Sequence, residues 1–240
     1  MSRTMKYIFN VLVIVLSTSC SVKRPIIFSD PSFKDYKVLK NRCAFLLCDS
    51  INISSVVQDF ITAFNGDPAS GEAFIQAYLA DCLTGRQKIY VNLPSRRRFW
   101  LAFSLLDSIH TDLTISQDAY GVAKLKVKNN ESLSSALAAA QVEHLIIIYG
   151  LTVKRATAAY VEPMTGIQDF PVKGTTLVPG GSVSKLATMS AQVFVLRTES
   201  MSVVWNGFIS GKWNIGFNFT RNTAKGVTEA FVIDLGLALR

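Results

Sequence analysis

The pattern of apolar and polar positions divides the chain into short strands and helices. Continuous apolar runs over 43–48 and 145–149 have strand length, and the second predicts a central strand covered on both faces. Apolar positions recur with helical spacing over 70–83, where Ser70 is a candidate N-cap, and over 133–140. These elements predict the α/β (α+β) class, with a mixed central sheet flanked by helices in three layers.

The second half of the chain completes this sheet. Residues 192–197 and 203–210 predict a hairpin, and residues 225–239 predict a closing helix. The short alternating run 125–127, the helix after it and the strand over 145–149 predict a βαβ-like unit. Three further predictions are a short strand over 89–93, a helix over 99–109 and a Pro/Gly-rich loop at about 156–190.

The first nineteen residues have the layout of a secretory signal peptide. Arg3 and Lys6 precede an apolar run of ten residues, Tyr7–Leu16, which is too short to cross about 30 Å of hydrocarbon as a helix. Small residues then lead to Cys20, an order that resembles the lipobox of bacterial lipoproteins. The sequence departs from that motif at Ser17, where leucine is usual. An ordinary secreted protein and an uncleaved anchor are the alternatives.

The lipobox resemblance implies that Cys20 carries diacylglycerol and a fatty acyl group such as palmitate. Ser21 is not aspartate, which in the enterobacterial sorting rule implies the outer membrane. The expected location is therefore the outer membrane of the bacterial cell envelope, and we expect the domain to face the periplasm. Residues 20–41 carry basic side chains and two prolines, and they predict a tether between the lipid and a domain over 42–240.

Composition and charge narrow the classes of function. With 49% hydrophobic and 18% charged residues, the chain can bury a large core, which excludes a disordered protein. The net charge of +8 at first suggests nucleic acid. The basic surplus is concentrated in the tether and in residues 85–100, however, while residues 43–84 hold five acidic and no basic side chains. An exported protein with this distribution is expected to meet a membrane surface and no nucleic acid.

Three cysteines remain besides Cys20, so at most one internal disulfide is possible. Cys43 and Cys48 lie five residues apart in a predicted strand and point to opposite faces, which excludes a bridge between them. A bridge from Cys82 to either is geometrically open. Their apolar neighbours favour buried free thiols.

Motifs that carry catalysis or bind cofactors are absent from the sequence. His110 and His144 are the two histidines, so a three-histidine zinc site is excluded, and His144 is interpreted as a structural residue at the start of a strand. No P-loop, G-x-G-x-x-G or G-x-S-x-G motif occurs. The sequence therefore predicts no metal, no cofactor and no catalytic residue.

Two local patterns remain as candidates. Ser182 and Lys185 fit S-x-x-K, in which a lysine one helical turn away activates a serine, and this gives the alternative of an envelope serine hydrolase. The cluster Arg96, Arg97, Arg98 and Trp100 has the residue types of a phosphate-binding or stacking patch. A solvated helix start whose aromatic residues enter the core is the preferred interpretation of that cluster.

The order of elements resembles a known superfamily. The step Glu143–Gly150 and the hairpin Val193–Trp205 are similar to those of the domain shared by the curli-secretion lipoprotein CsgG, the penicillin-binding-protein activator lipoproteins and the amino-terminal domain of TolB. His144 stands where that pattern has aspartate, and Arg197–Ser200 stands where aspartate and glycine are usual. The resemblance implies a non-enzymatic, lipid-anchored envelope protein that acts as a binding or assembly module through protein contacts or self-assembly.

Overall fold

A mixed seven-stranded sheet with helices on both faces organises the chain. The computed structural model describes residues 26–54, 62–87, 98–100, 113–120, 122–128, 131–160, 182–214 and 219–240. This architecture confirms the α/β class. Among the described residues, no helix combines the length and the apolar character needed to cross a membrane.

The strands and helices are numbered here in chain order. The strands are β1 (Ile26–Ser29), β2 (Cys43–Leu47), β3 (Asn52–Ser54), β4 (Arg98–Trp100), β5 (Leu113–Gln117), β6 (Ala123–Val127), β7 (His144–Tyr160), β8 (Ser182–Arg197) and β9 (Ser202–Asn214). The α-helices are α1 (Pro68–Thr84), α2 (Glu131–Ala139) and α3 (Arg221–Ala238), and a short 3-10 helix spans Phe33–Tyr36.

The main sheet has the order β1-β9-β8-β7-β2-β4, and β3 pairs with the later part of β7. β2 is parallel to both β4 and β7, whereas β8 pairs antiparallel with β7 on one side and with β9 on the other. The predicted hairpin over 192–210 is therefore confirmed, and it is longer than its apolar core suggested.

Both faces of the sheet are buried, which explains the continuous apolar runs. Phe45, Ile146 and Val195 belong to one core with α1 and α3. Leu46 and Ile147 belong to the other core, with α2 and the β5–β6 hairpin. Alternate residues of a strand point to opposite faces, so a strand between two layers needs apolar side chains at every position. The prediction of a central strand covered on both faces is confirmed.

Three expectations about elements are wrong. β6 pairs with β5 in a separate two-stranded sheet, so the run 125–127 does not join the following helix and β7 in a βαβ unit. Of the predicted loop at about 156–190, residues 156–160 belong to β7 and residues 182–190 to β8, because these two segments pair with each other and extend the sheet. Residues 98–100 form β4, where a helix was expected from residue 99. The predicted strand over 89–93 lies outside the described residues.

Residues 26–41 are packed on the domain, so the expectation of a solvated tether does not hold for them. β1 adds to β9 at the edge of the sheet. Phe33, Val38 and Leu39 are buried in the helix-side core, and the Phe33 ring stacks on Trp205 with 6.0 Å between centroids. These three apolar side chains recur too irregularly for a periodicity to reveal them. Residues 20–25 lie outside the described residues.

The helix ends differ from expectation by a few residues. Asp67, and not Ser70, is the N-cap of α1: its carboxylate accepts hydrogen bonds from the Ala69 and Ser70 amides at 3.0 and 3.2 Å. α3 begins at Arg221, four residues early, because Thr220 and Thr223 form a capping box there.

Cys43, Cys48 and Cys82 are free thiols, of which Cys43 and Cys82 are buried and Cys48 is half-buried. Burial, and secondarily the neighbouring acidic charge of Asp49, raises the pKa of Cys48 to about 12. Burial also raises the pKa of Cys82 to about 12. The preference for free thiols over a Cys82 disulfide is confirmed.

Candidate functional site

The arginine-rich cluster is only partly within the described residues. Arg96 and Arg97 lie outside them, as does Cys20. Arg98 and Trp100 lie in β4, where their backbones pair with Cys43 and Phe45 of β2. The half-buried Trp100 packs against the helix-side core. The Trp100 ring therefore contributes to the core, as the preferred interpretation of the cluster expected. It does so from a strand and not from the expected helix.

Ser182 and Lys185 both lie in β8, paired with Tyr160 and Thr157 of β7. Three residues along a strand rise about 10 Å, whereas the S-x-x-K mechanism needs the lysine one helical turn from the serine. The expectation of that helical arrangement is wrong.

A cleft of about 720 Å³ lies where the amino ends of β2 and β7 meet the turn between β8 and β9. We call it the amino-end cleft. Its lining includes the aromatic and charged residues Tyr36, Arg42, Glu143, His144, Arg197 and Glu199.

Strand register brings these distant residues together. His144 pairs with Cys43 of β2 on one side and with Arg197 of β8 on the other. The carbonyl oxygen of Arg42 accepts hydrogen bonds from the amides of Glu143 and His144 at 2.8 and 3.3 Å. The Thr198 amide donates to the Glu143 carbonyl at 3.0 Å. The cleft is thus built on fixed backbone, which holds its side chains in defined places.

An aromatic and cationic stack lines the cleft. The rings of Tyr36 and His144 lie 6.1 Å apart with an interplanar angle of 34°. The Arg197 guanidinium lies over the Tyr36 ring, 5.6 Å from its centroid, within the range of a cation–π contact. The 3-10 helix that carries Tyr36 therefore forms one wall of the cleft.

His144 is the most buried polar side chain of the cleft, with 3% of its surface exposed. Neither ring nitrogen has a hydrogen-bond partner among the described residues. Burial lowers the pKa of His144, the Arg197 charge lowers it further, and the Glu143 charge opposes both. The imidazole is therefore neutral at pH 7. The interpretation of His144 as a residue at the start of a strand is confirmed.

The rim of the cleft carries charges of both signs. Arg197 forms an ion pair with Glu199, whose side chain is 75% exposed, and the Arg42 guanidinium donates to the Gln141 side-chain oxygen. Exposed pairs of this kind contribute little to stability and exchange partners at low cost. The rim can therefore offer both donors and acceptors to a polar surface.

The sequence pointed to this site only indirectly. Neither Tyr36, Arg42 nor Glu199 was a candidate, since none belongs to a motif. The available signal was the departure from the superfamily pattern at His144 and at Arg197–Ser200, because these are neighbours in the sheet and both line the cleft.

The burial of His144 predicts a pH-dependent stability. Because the folded-state pKa is below the unfolded value, the unfolded chain binds more protons near pH 6. The stability from the neutral ring is present above about pH 6.5 and is lost as the pH falls. His144→Leu is expected to flatten the pH dependence by at most about 1.4 kcal/mol per pH unit, measured by urea unfolding between about pH 5 and 8. A flattened slope in His110→Gln instead would contradict this assignment.

Within the described part of the chain, no three His, Cys, Asp or Glu side chains come together as a metal site.

Comparisons with known proteins identify no family. No family model matches the sequence, and no curated protein matches it. Similar solved structures include a PelC dodecamer from Paraburkholderia phytofirmans, at 8% identity, TM-score 0.32 and coverage of 82% of this chain and 88% of that one. They also include a putative neuraminyllactose-binding hemagglutinin homolog from Helicobacter pylori, at 10% identity, TM-score 0.34 and coverage of 84% of each chain.

A third similar structure is a lipoprotein, GNA1162 from Neisseria meningitidis, at 9% identity, TM-score 0.28 and coverage of 81% of this chain and 98% of that one. The structural similarity is thus weak, and the similar structures include a bacterial lipoprotein. At these identities and TM-scores it carries no argument about function, and the resemblance to the CsgG and TolB superfamily stays a prediction from the sequence.

Proposed function

We propose that this protein is a non-enzymatic, lipid-anchored protein of the bacterial cell envelope that binds a protein partner through the amino-end cleft. In this proposal Cys20 carries the lipid, the outer membrane holds the domain, and the cleft faces the periplasm. The signal-peptide layout before Cys20 supports the anchor.

The observation that carries the proposal is the stack of Arg197 on Tyr36 beside the buried His144. Arginine and tyrosine are enriched where proteins bind each other, since both combine a flat apolar surface with hydrogen-bonding groups. The rim pairs each arginine with an oxygen acceptor, Gln141 or Glu199, which fits a polar protein segment that brings both donors and acceptors. A nucleic acid or another polyanion would be opposed by the carboxylates of the rim.

The absence of enzymatic activity is part of the proposal. Ser182 lies in a strand that places Lys185 out of the helical position the hydrolase alternative needs. The raised pKa values of Cys48 and Cys82 keep these thiols protonated, and a thiol is a poor nucleophile compared with a thiolate. No observation favours the hydrolase as a second function.

The experiment is chemical crosslinking of the tagged full chain in intact cells, followed by identification of captured proteins. Arg197→Ala removes the guanidinium from the Tyr36 ring and from Glu199, so we expect the captured partner to be lost while the protein remains folded. Arg86→Ala is the matched control, because Arg86 is an exposed arginine that pairs with Asp81 at 3.4 Å, outside the cleft.

Equal capture by wild type, Arg197→Ala and Arg86→Ala would contradict binding through the cleft. Loss of capture in both variants would also contradict it, since the effect would then follow from removing any surface charge.

A further inference from the structure

We propose that β1 lies on the surface of the lipid bilayer and holds the edge of the sheet against the membrane. The proposal rests on the lipid anchor at Cys20 that belongs to the proposed function. It goes further by assigning the protein surface that faces the membrane, a surface distinct from the amino-end cleft.

The side chains of β1 are unusually exposed for apolar residues. Ile26, Ile27 and Phe28 are adjacent in sequence and are 59%, 41% and 48% exposed. β1 is the terminal strand of the described sheet, paired with β9 along one edge. Three consecutive large apolar side chains that remain in water at a sheet edge indicate a surface that something apolar covers.

The length of chain before β1 indicates a bilayer as that apolar partner. Five residues, 21–25, lie between Cys20 and Ile26, so Ile26 is six positions further along the chain, and six positions span at most about 20 Å when fully extended. A lipid on the Cys20 thiol therefore keeps β1 within about 20 Å of the membrane interface. β1 is the first described element of the chain, so its apolar side chains follow the anchor directly.

The charges around β1 fit an anionic lipid surface. Lys23 and Arg24 precede the strand, and no acidic residue occurs from Cys20 to Ser29. Basic side chains beside apolar ones are the combination that binds a membrane interface, because the former attract lipid phosphates and the latter enter the acyl boundary.

Strand addition by another chain is less well supported by the geometry. β1 has four residues, and its register with β9 shifts between Ile26 and Phe28. A short, irregular edge offers few backbone groups in regular spacing for a further strand. A bilayer needs no such register, since it covers apolar side chains without directional bonds.

The location of β1 leaves the cleft accessible to a partner. β9 and β8 separate β1 from β7, whose first residue is His144. At about 4.8 Å per strand, β7 lies about 14 Å from β1 across the sheet. The bilayer contact and the amino-end cleft would thus occupy different parts of the same sheet.

The test places the photoreactive residue benzoylphenylalanine at position 28 in the full chain, expressed in cells. Phe28 is exposed, so an aromatic replacement there leaves the fold intact. The matched control carries the same residue at Leu237, which is 47% exposed on α3. After irradiation, adducts are identified by mass spectrometry as phospholipid or protein, and palmitate labelling of the same cells reports the anchor separately.

We expect phospholipid adducts with the variant at position 28 and none with the variant at position 237. Adducts to a second copy or to another protein alone at position 28, equal lipid adducts at both positions, or no adduct at position 28 would overturn the membrane contact. If the protein incorporates palmitate but gives no phospholipid adduct at position 28, the lipid anchor is supported and the contact of β1 with the bilayer is refuted. If the protein gives phospholipid adducts at position 28 without incorporating palmitate, the contact of β1 with the bilayer is supported and the lipid anchor at Cys20 is refuted.

Discussion

Gly211→Ala is expected to lower the free energy of unfolding by about 3 kcal/mol. Gly211 lies in β9 directly beneath α3, where an added Cβ would be 2.1 Å from the Phe231 nitrogen and 2.5 Å from the Ala230 carbonyl carbon. These contacts are with helix backbone, which cannot rotate away as a side chain can. α3 must therefore move off the sheet, and it would lose the burial of Phe231 and Leu235.

Urea unfolding followed by circular dichroism measures this loss. The control is Ser210→Ala on the neighbouring, exposed position of β9, for which we expect a change within about 0.5 kcal/mol. If Gly211→Ala were as stable as Ser210→Ala, the close packing of α3 on β9 would be wrong.

Gln192→Leu is expected to cost about 3 kcal/mol and to loosen the β5–β6 hairpin. The buried Gln192 amide accepts a hydrogen bond from the Ala123 nitrogen and donates one to the Ala123 oxygen, both at 2.8 Å. It also donates to Asn206 at 3.0 Å. Leucine has a similar size but leaves these buried polar groups without a partner, and each unpaired group is destabilising.

Two measurements check this second prediction. Urea unfolding gives the loss of stability, and hydrogen exchange should show faster exchange of the β5 and β6 amides than of the β7 amides. Gln117→Leu is the control, because the exposed Gln117 side chain donates a longer bond of 3.3 Å to the Tyr149 hydroxyl. An unchanged exchange pattern in Gln192→Leu would show that the hairpin is held by other contacts.

The central sheet was predictable from the sequence because its strands are apolar at every position. The runs 43–47 and 145–148 are buried on both faces, and a strand of this length between two layers removes all of these adjacent apolar side chains from water. The partner of β6 was not predictable, since its alternation indicates a strand without specifying which strand it pairs with. The later part of β7 and the start of β8 carry few large apolar residues, so the sequence did not indicate that their antiparallel pairing extends as far as Tyr160 and Ser182.

The amino-end cleft was less predictable than the fold. Strand register brings the Arg42, His144 and Arg197 positions together across more than a hundred residues of sequence, and the 3-10 helix adds Tyr36. A local pattern carries no information about such register. The burial of Phe33 and Leu39 was not predictable either, because their segment packs without a regular period and its basic residues indicated a solvated linker.

The most direct test of the account is site-specific photo-crosslinking from the rim of the cleft in living cells. Benzoylphenylalanine replaces the exposed Glu143, directly before β7, in one variant and the exposed Lys154 of β7 in another, a position about 35 Å further along the chain direction of that strand. We expect one protein partner to be captured at position 143, to be lost when Arg197→Ala is added, and to be absent at position 154. Capture at position 154 alone, equal capture at both positions, or no protein captured at position 143 would contradict it.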